Sequence, residues 1–138
     1  RPWGAALWQW YYSTLYPTQK PADFAAYVAA LRKNLQEPGR LEALHAMAVA
    51  SKAASEQRLG QVQAPTLVLM GSKDPDFKDP HTEAQAVAAS LKAELHMIEG
   101  AGHYPHAEMP DVAAPHILQF LASLQGEQRT TREVSYVA

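Results

Sequence analysis

A histidine in a turn of small residues has the strongest chemical interpretation in this sequence. His103 lies in the segment Gly100–His106 (GAGHYPH), directly after a short apolar run. Asp74 lies in a second turn, Gly71–Pro75 (GSKDP), which also follows an apolar run. A carboxylate that hydrogen-bonds one imidazole nitrogen fixes the tautomer, and the other nitrogen can then take a proton from a nucleophile. These residues therefore indicate the acid and the base of a three-residue catalytic set.

Two short apolar segments and a helix between them would bring the two side chains together. The run 66–70 (TLVLM) predicts a strand buried on both faces, 95–98 (LHMI) predicts a second strand, and 80–91 predicts a helix. Such a unit of about 30 residues connects its strands by a right-handed crossover, which makes them parallel. Both strands then end at the same edge of the sheet, where open α/β sheets place their ligand chemistry. We therefore expect Asp74 and His103 to meet.

The amino-terminal segment 3–16 is the most aromatic part of the chain and carries two apolar faces at helical spacing. One face holds Trp3, Leu7 and Trp10, and the other holds Trp8, Tyr12 and Leu15. A helix that is apolar on two faces must be covered on both. It is either a buried core helix or a lid with one face over a ligand pocket. In the second case an apolar or acyl substrate would contact Trp3, Trp8, Trp10 and Tyr12, together with Tyr104 of the histidine turn.

Further helices are predicted on both sides of the strands. One follows Pro17, with Pro21 in its first turn, and an alanine-rich helix runs from about Arg40 to Gln57 with Leu41, Leu44 and Ala48 facing inward. A last helix begins near Pro110 or is kinked at Pro115. From about Gln125 the residues are polar without a clear period, which predicts a loose tail. The chain thus divides into a helical region (1–62), an α/β region (63–125) and a polar tail (126–138).

Composition excludes several classes of protein. The 138 residues suffice for one domain, and 47% hydrophobic and 19% charged residues are typical of a globular protein. A net charge of -2 gives no bias toward nucleic acid or an anionic membrane. The absence of cysteine excludes disulfides, thiolate metal sites and a cysteine nucleophile. Neither a signal peptide nor an apolar run of roughly 18–20 residues is visible, and we expect a cytoplasmic protein without a membrane span.

Two segments resemble the carboxyl-terminal half of the α/β-hydrolase family. Ala64–Asp74 (APTLVLMGSKD) is similar to its late strand and acid loop, and Gly100–Pro110 (GAGHYPHAEMP) is similar to its histidine loop. Aspartate before histidine is the order that the family uses. The resemblance covers residues 63–124, and residues 1–60 look like the helical cap of such enzymes. It implies an α/β fold in which a helical cap precedes the last β-α-β-α portion of the core.

The function that this resemblance implies is cleavage of an ester, amide or carbon–carbon bond without a cofactor. His103 would be the general acid and base, and Asp74 would orient it. The sequence departs from the family in having no Gly-x-Ser-x-Gly elbow, no oxyanion-hole loop and no early strands. The serines that lack the elbow setting are Ser13, Ser51, Ser55, Ser72, Ser90, Ser123 and Ser135. We therefore interpret the chain as a carboxyl-terminal hydrolase fragment that is inactive alone.

A fragment of this kind needs a partner. The chain begins at Arg1 as if cut from something longer. A two-stranded parallel sheet is not stable by itself, because it leaves an apolar face and open edges uncovered. We expect a homodimer, formed by exchange of a strand or helix, or association with the missing amino-terminal half.

Metal binding is an alternative chemistry for the same residues. Asp74, Asp76 and Asp79 suggest a calcium loop, but Lys78 sits among them and the glycine needed for the turn is missing. His103 and His106 could bind zinc with an acidic residue, yet the helical His-x-x-x-His pairing is not present. We predict no metal site. Asp76 or Asp79 instead caps the next helix or faces solvent, and Glu108 supports the histidine turn or the helix after it.

Two other classes of function remain open at this stage. A non-catalytic relative of α/β-hydrolases would bind a small apolar ligand or another protein, and the aromatic segment fits that function equally well. A helical interaction protein would use residues 1–57 alone. A serine elbow in an upstream segment would favour catalysis, whereas a stably folded peptide of residues 1–57 would favour the helical protein.

Overall fold

The computed structural model describes residues 4–135, with side chains as far as residue 125. The fold is mixed α/β, with a helical first half and a strand-helix-strand unit in the second half. The first half contains α1 (Gly4–Thr14), α2 (Phe24–Leu35), α3 (Arg40–Val49), α4 (Ala53–Glu56) and a 3-10 turn (Leu59–Gln61). The second half contains β1 (Leu67–Gly71), α5 (Pro80–Leu91), β2 (Glu94–Ile98), α6 (Pro105–Glu108) and α7 (Pro110–Ser135).

The two strands are parallel neighbours, as their connection through a helix predicts. Leu67 lies opposite Glu94 and Gly71 lies opposite Ile98. The ladder continues beyond β1, where the backbone N–H of Ser72 donates to the carbonyl oxygen of Ile98 at 3.0 Å. α5 packs against both strands. The predicted strand-helix-strand unit is therefore confirmed. β1 is shifted by one residue at both ends from the predicted 66–70, and β2 begins one residue before the predicted 95–98.

The prediction that β1 is buried on both faces is wrong. The side chains of Leu67–Met70 are half-buried, and Gly71 alone is buried. The reason is that the sheet in the described part of the chain has two strands, so each strand has an open edge. The sheet thus carries apolar strand residues that are only partly covered.

The start of α5 follows from its first residues. One carboxylate oxygen of Asp79 accepts a hydrogen bond from the backbone N–H of Thr82 at 3.2 Å, and the other accepts from the Thr82 hydroxyl at 2.6 Å. Pro80 occupies the first turn, where its missing N–H leaves no hydrogen bond unmade. Asp79 is therefore the N-cap of α5, as the sequence predicted.

The helical half is organised around one face of α1. Tyr12, Leu15 and Tyr16 are buried with Val28 of α2, and partly buried side chains surround them. The opposite face of α1 is open, since Leu7 and Trp10 are 64% and 66% exposed. α1 is thus a core helix on one side and an exposed apolar surface on the other. Trp3, which the sequence places on the same face as Leu7 and Trp10 and predicts as a substrate contact, lies outside the described residues.

The second and third helices differ from their predicted bounds. The helix predicted from Arg40 to Gln57 is interrupted after Val49, because Ala50 is extended and the Lys52 ammonium donates to the carbonyls of Met47 and Ala50 at 2.9 and 3.0 Å. These hydrogen bonds satisfy carbonyl groups at the end of α3. In a longer helix the same carbonyls would accept hydrogen bonds from backbone N–H groups of the next turn. α2 begins at Phe24, after Pro21 rather than around it.

α7 continues through Pro115 and extends to Ser135. The segment predicted as a loose tail is therefore helical as far as the structure describes it. Among residues 4–135, every helix is too short or too polar to cross a lipid bilayer.

Candidate active site

The loops that follow β1 and β2 are joined by hydrogen bonds. The N–H of Lys73 donates to the carbonyl of Ala101 at 2.9 Å, and the N–H of Gly100 donates to the Ser72 hydroxyl at 2.8 Å. Gly100 has a φ of 81°, a left-handed conformation that glycine adopts without strain. The two loops therefore form one surface at the carboxyl ends of the strands, and this surface carries the residues with chemical potential.

Asp74 and His103 meet on this surface. Nδ1 of His103 lies 2.8 Å from Oδ2 of Asp74. The Asp74 side chain is 2% exposed, whereas the His103 ring is 33% exposed. No side chain between residues 4 and 125 hydrogen-bonds to Nε2 of His103. A proton on Nδ1 would be held by the buried carboxylate, so Nε2 is free to accept a proton from another group.

The backbone on either side of His103 is fixed by the helical half of the molecule. The N–H of His103 donates to the carbonyl oxygen of Leu15 at 3.0 Å. A Cβ atom on Gly102 would lie 2.3 Å from that same oxygen and 2.3 Å from Cδ of Pro17. Glycine is therefore required at position 102, because the loop approaches the backbone after α1 this closely. The ring of Tyr104 meets the His103 ring edge-on, with their centroids 4.9 Å apart.

The side chain of Glu108 supports the histidine turn through hydrogen bonds. This side chain is fully buried, and Oε2 accepts a hydrogen bond from the N–H of Gly102 at 2.6 Å. Oε1 accepts from the N–H groups of Thr18 and Gln19 at 2.6 and 2.9 Å. The prediction that Glu108 supports the turn is confirmed. The structure adds that the same carboxylate binds the loop between α1 and α2, which the sequence did not indicate.

Asp76 contacts the pair, which the sequence did not indicate. Of the two residues predicted to cap the next helix or to face solvent, Asp79 is the cap and Asp76 is partly exposed. Its Oδ2 lies 3.5 Å from Nδ1 of His103, and its Oδ1 accepts a hydrogen bond from the Tyr11 hydroxyl. Burial raises the pKa of Tyr11 above its ordinary value, and the hydrogen bond to Asp76 raises the pKa further. Sequence reasoning missed Tyr11, because no local spacing relates it to a loop 65 residues later.

The atoms of Asp74, Asp76 and His103 come close enough for metal binding, within 4.8 Å of one another. They nevertheless hydrogen-bond within the protein: Asp74 pairs with His103, and Asp76 accepts from Tyr11. Asp79, the third residue of the possible calcium loop, caps α5. The observed hydrogen bonds are those of an acid-base pair, and we do not assign these residues as metal ligands.

An apolar cleft of about 770 Å³ lies between α1 and α3. Trp8 and Trp10, two of the predicted substrate contacts, form part of its wall. Tyr11 also lines it, so one residue borders both the cleft and the Asp76 carboxylate. The remaining lining residues are Gly4, Leu7, Leu41, Glu42, Leu44, His45 and Ala48.

The other predicted substrate contacts have different positions. Tyr12 is in the core, with its hydroxyl oxygen 3.0 Å from that of Tyr16, and burial raises its pKa. It is therefore a packing residue and not part of an accessible surface. Tyr104 stacks on Tyr16 with ring centroids 5.3 Å apart and borders His103. Burial also raises the pKa of Tyr104.

The serines with described side chains make no hydrogen bond to His103. The hydroxyl groups of Ser13, Ser90 and Ser123 each donate to a backbone carbonyl within their own helix or its last turn. Ser72 accepts from Gly100 at the base of the site. The site therefore contains an orienting carboxylate, Asp74, and a base, His103. None of the serines with described side chains is placed as a nucleophile beside this base.

Comparison of the chain with protein-family models, with curated proteins and with solved structures found no match. The likeness to α/β-hydrolases accordingly rests on the two sequence segments that carry Asp74 and His103. The contact between these residues is independent of that likeness, because it is observed in the structure. This geometry can orient the imidazole of His103 through a hydrogen bond at Nδ1 and leave Nε2 available as a base.

Proposed function

We propose that this chain supplies the carboxylate and the imidazole of a serine-hydrolase triad, as in the α/β-hydrolases that it resembles. The observation that supports the proposal is the distance of 2.8 Å between Oδ2 of the buried Asp74 and Nδ1 of the accessible His103. A buried carboxylate against one ring nitrogen orients the imidazole, and partial exposure of the ring lets the other nitrogen reach a reacting group.

The proposed reaction uses His103 twice. Nε2 takes the hydroxyl proton of a serine as its oxygen attacks the carbonyl carbon of the substrate. Asp74 stabilises the imidazolium that forms, and the imidazolium then gives its proton to the leaving group. Water releases the acyl group in a second step with the same base. The substrate class is an ester, amide or activated carbon–carbon bond, and the chemistry needs no cofactor.

The nucleophile belongs to another segment in this proposal. None of the serines with described side chains hydrogen-bonds to His103, and Ser13, Ser72, Ser90 and Ser123 have other hydrogen-bond partners. A serine and an oxyanion hole would therefore come from another polypeptide segment that completes the sheet beside β1 or β2. The chain alone is expected to be inactive for this reason.

The substrate class is suggested by the cleft between α1 and α3. Its wall includes Trp8, Trp10 and Leu7, which favour an apolar or mixed acyl group. Tyr11 lies between this cleft and the Asp76 carboxylate next to His103. An acyl chain in the cleft would thus contact Tyr11, the residue of α1 that binds the Asp76 carboxylate.

The test uses the protein as it occurs in the cells it comes from, purified with an antibody against residues 63–125. We expect hydrolysis of p-nitrophenyl esters and labelling by a fluorophosphonate, both lost when the genomic codon is changed to His103→Ala. His106→Ala, which alters an exposed histidine on α6, is the control and should retain activity. Full ester hydrolysis in the His103→Ala protein would refute the proposal.

A second candidate function is a non-catalytic module that binds a small apolar ligand. The observation that favours it is the cleft itself, which α1 and α3 form without His103. Binding of a fluorescent fatty acid that is weakened by Trp10→Ala and unchanged by His103→Ala, in a protein without esterase activity, would support this candidate. Esterase activity that requires His103 would exclude it.

A further inference from the structure

We propose that Tyr11 and Asp76 are positioning residues for His103, so that helix α1 helps to set the tautomer of the histidine. Tyr11 fixes the Asp76 carboxylate, and Asp76 then places a second negative charge on the Nδ1 side of the ring. The inference rests on the proposed function and deepens it, because it gives α1, a helix of the cap-like first half, a role in positioning the general base.

The Asp76 carboxylate bridges the two rings. Oδ1 accepts a hydrogen bond from the Tyr11 hydroxyl, and Oδ2 lies 3.5 Å from Nδ1 of His103. The second distance is longer than a good N–H···O hydrogen bond, so Asp76 acts on the ring through its charge while Asp74 makes the direct bond. Each oxygen of Asp76 thus faces a different partner.

The backbone near Asp76 joins the two carboxylates in one turn. The N–H of Asp76 donates to Oδ1 of Asp74 at 3.0 Å, which leaves Oδ2 of Asp74 for His103. The side chain of Asp76 is 31% exposed, so burial alone does not hold its rotamer. The hydrogen bond from Tyr11 is the contact that keeps this carboxylate turned toward the ring.

Tyr11 is suited to this task. Its pKa is raised by burial and by Asp76, so the hydroxyl keeps the proton that it donates. Its ring packs against Trp8 of the same helix, with centroids 5.0 Å apart. The position of the donor is therefore set by α1 and not by the loop that carries Asp76.

These contacts should favour the tautomer of His103 that carries its proton on Nδ1. The titratable groups near the ring are Asp74 and Asp76 from the loop after β1, Tyr11 from α1, and Tyr104 beside it. Both carboxylates are on the Nδ1 side, and two negative charges there favour a proton on Nδ1. Nε2 then keeps its lone pair for the nucleophile, as a general base requires.

The test measures the ring tautomer of His103 in the purified chain by long-range 1H–15N correlation, above about pH 8, where an ordinary imidazole is neutral. Asp76→Asn should raise the fraction of the Nε2–H tautomer by about two- to five-fold, the effect of losing one partly exposed charge interaction. Tyr11→Phe keeps the ring and should change the fraction in the same direction. The double variant should equal Asp76→Asn, because Tyr11 acts only through Asp76.

Two control variants separate this effect from a general one. Asp111→Asn removes an exposed carboxylate on α7, and Tyr27→Phe removes the hydroxyl of an exposed tyrosine on α2; neither should change the tautomer. An unchanged tautomer in Asp76→Asn, or additive effects in the double variant, would overturn the inference. The result is independent of the ester assay: a tautomer change without His103-dependent hydrolysis would refute the proposed function and leave this link in place.

Discussion

The backbone N–H of His103 donates a hydrogen bond to the carbonyl oxygen of Leu15 at 3.0 Å. Leu15 is 3% exposed and belongs to the core of the helical half. The residue with the strongest chemical interpretation is therefore fixed to the helices as well as to the sheet. A change at this junction should alter the site even when Asp74 and His103 are untouched.

Glu108 should be the most sensitive single position at this junction. Glu108→Ala leaves three backbone N–H groups without their partner, and we expect a loss on the order of 3 kcal/mol in the free energy of unfolding. Glu108→Gln keeps one acceptor oxygen and should lose less. Urea denaturation measures both. The exposed Glu99→Gln is the control, and a Glu108→Ala protein as stable as this control would contradict the account.

Gly102→Ala should destabilise the protein through overpacking. The new Cβ would lie 2.3 Å from both the Leu15 oxygen and Cδ of Pro17, so the loop must move at a cost of about 1–3 kcal/mol. Gly60→Ala is a matched control, since no atom lies within 4 Å of its added Cβ. Urea denaturation gives the stability, and weaker protection of the His103 amide from hydrogen exchange would report the displaced loop. Equal stability of Gly102→Ala and Gly60→Ala would show that residue 102 is not tightly packed against Leu15 and Pro17.

Asp79 should make the stability of the protein depend on pH in the acid range. Hydrogen bonds from the side chain and backbone of Thr82 lower the pKa of Asp79 in the folded state. Its contribution is therefore present above the unfolded-state pKa of about 4 and is lost as the pH falls through the lower folded-state value. Asp79→Ala should be less stable at pH 7, and the difference from the wild type should shrink in acid.

The measurement for Asp79 is a series of urea midpoints across this pH range. Asp79→Ser keeps a hydroxyl acceptor at the N-cap without a charge, so it should retain part of the stability and lose the part of the pH dependence that comes from Asp79. A constant difference between wild type and Asp79→Ala at every pH would mean that the charge of Asp79 contributes nothing.

The open edges of the two-stranded sheet predict self-association of the purified chain. Leu67–Met70 are only half-buried, and each strand lacks a neighbour on one side among the described residues. Gel filtration should give a mass well above the 15.2 kDa of one chain. A well-folded monomer would contradict this prediction.

The strand-helix-strand unit was predictable because its signals are local. An apolar run indicates each strand, and Asp79 followed by Pro80 indicates where α5 begins. The parallel connection then brings both strand ends to one edge. The contact between Asp74 and His103 followed from these rules without any knowledge of tertiary packing.

The remaining features depend on contacts between distant residues. Tyr11 and Asp76 are 65 residues apart, and two of the three partners of Glu108 lie in a loop 89–90 residues earlier. The end of α3 depends on Lys52, whose ammonium group satisfies carbonyls that the helical pattern assigned to a longer helix. Periodicity also could not show that one face of α1 is open, because that depends on what packs against it.

The tautomer of His103 in the wild type and in Asp74→Asn tests the central claim most directly. The account predicts Nδ1–H in the wild type, because Oδ2 of Asp74 lies 2.8 Å from Nδ1. An asparagine amide can donate to Nδ1 and should shift the ring to Nε2–H. His103→Gln identifies the resonances by long-range 1H–15N correlation. An Nε2–H tautomer in the wild type, or an unchanged tautomer in Asp74→Asn, would contradict the assignment of these residues as an acid-base pair.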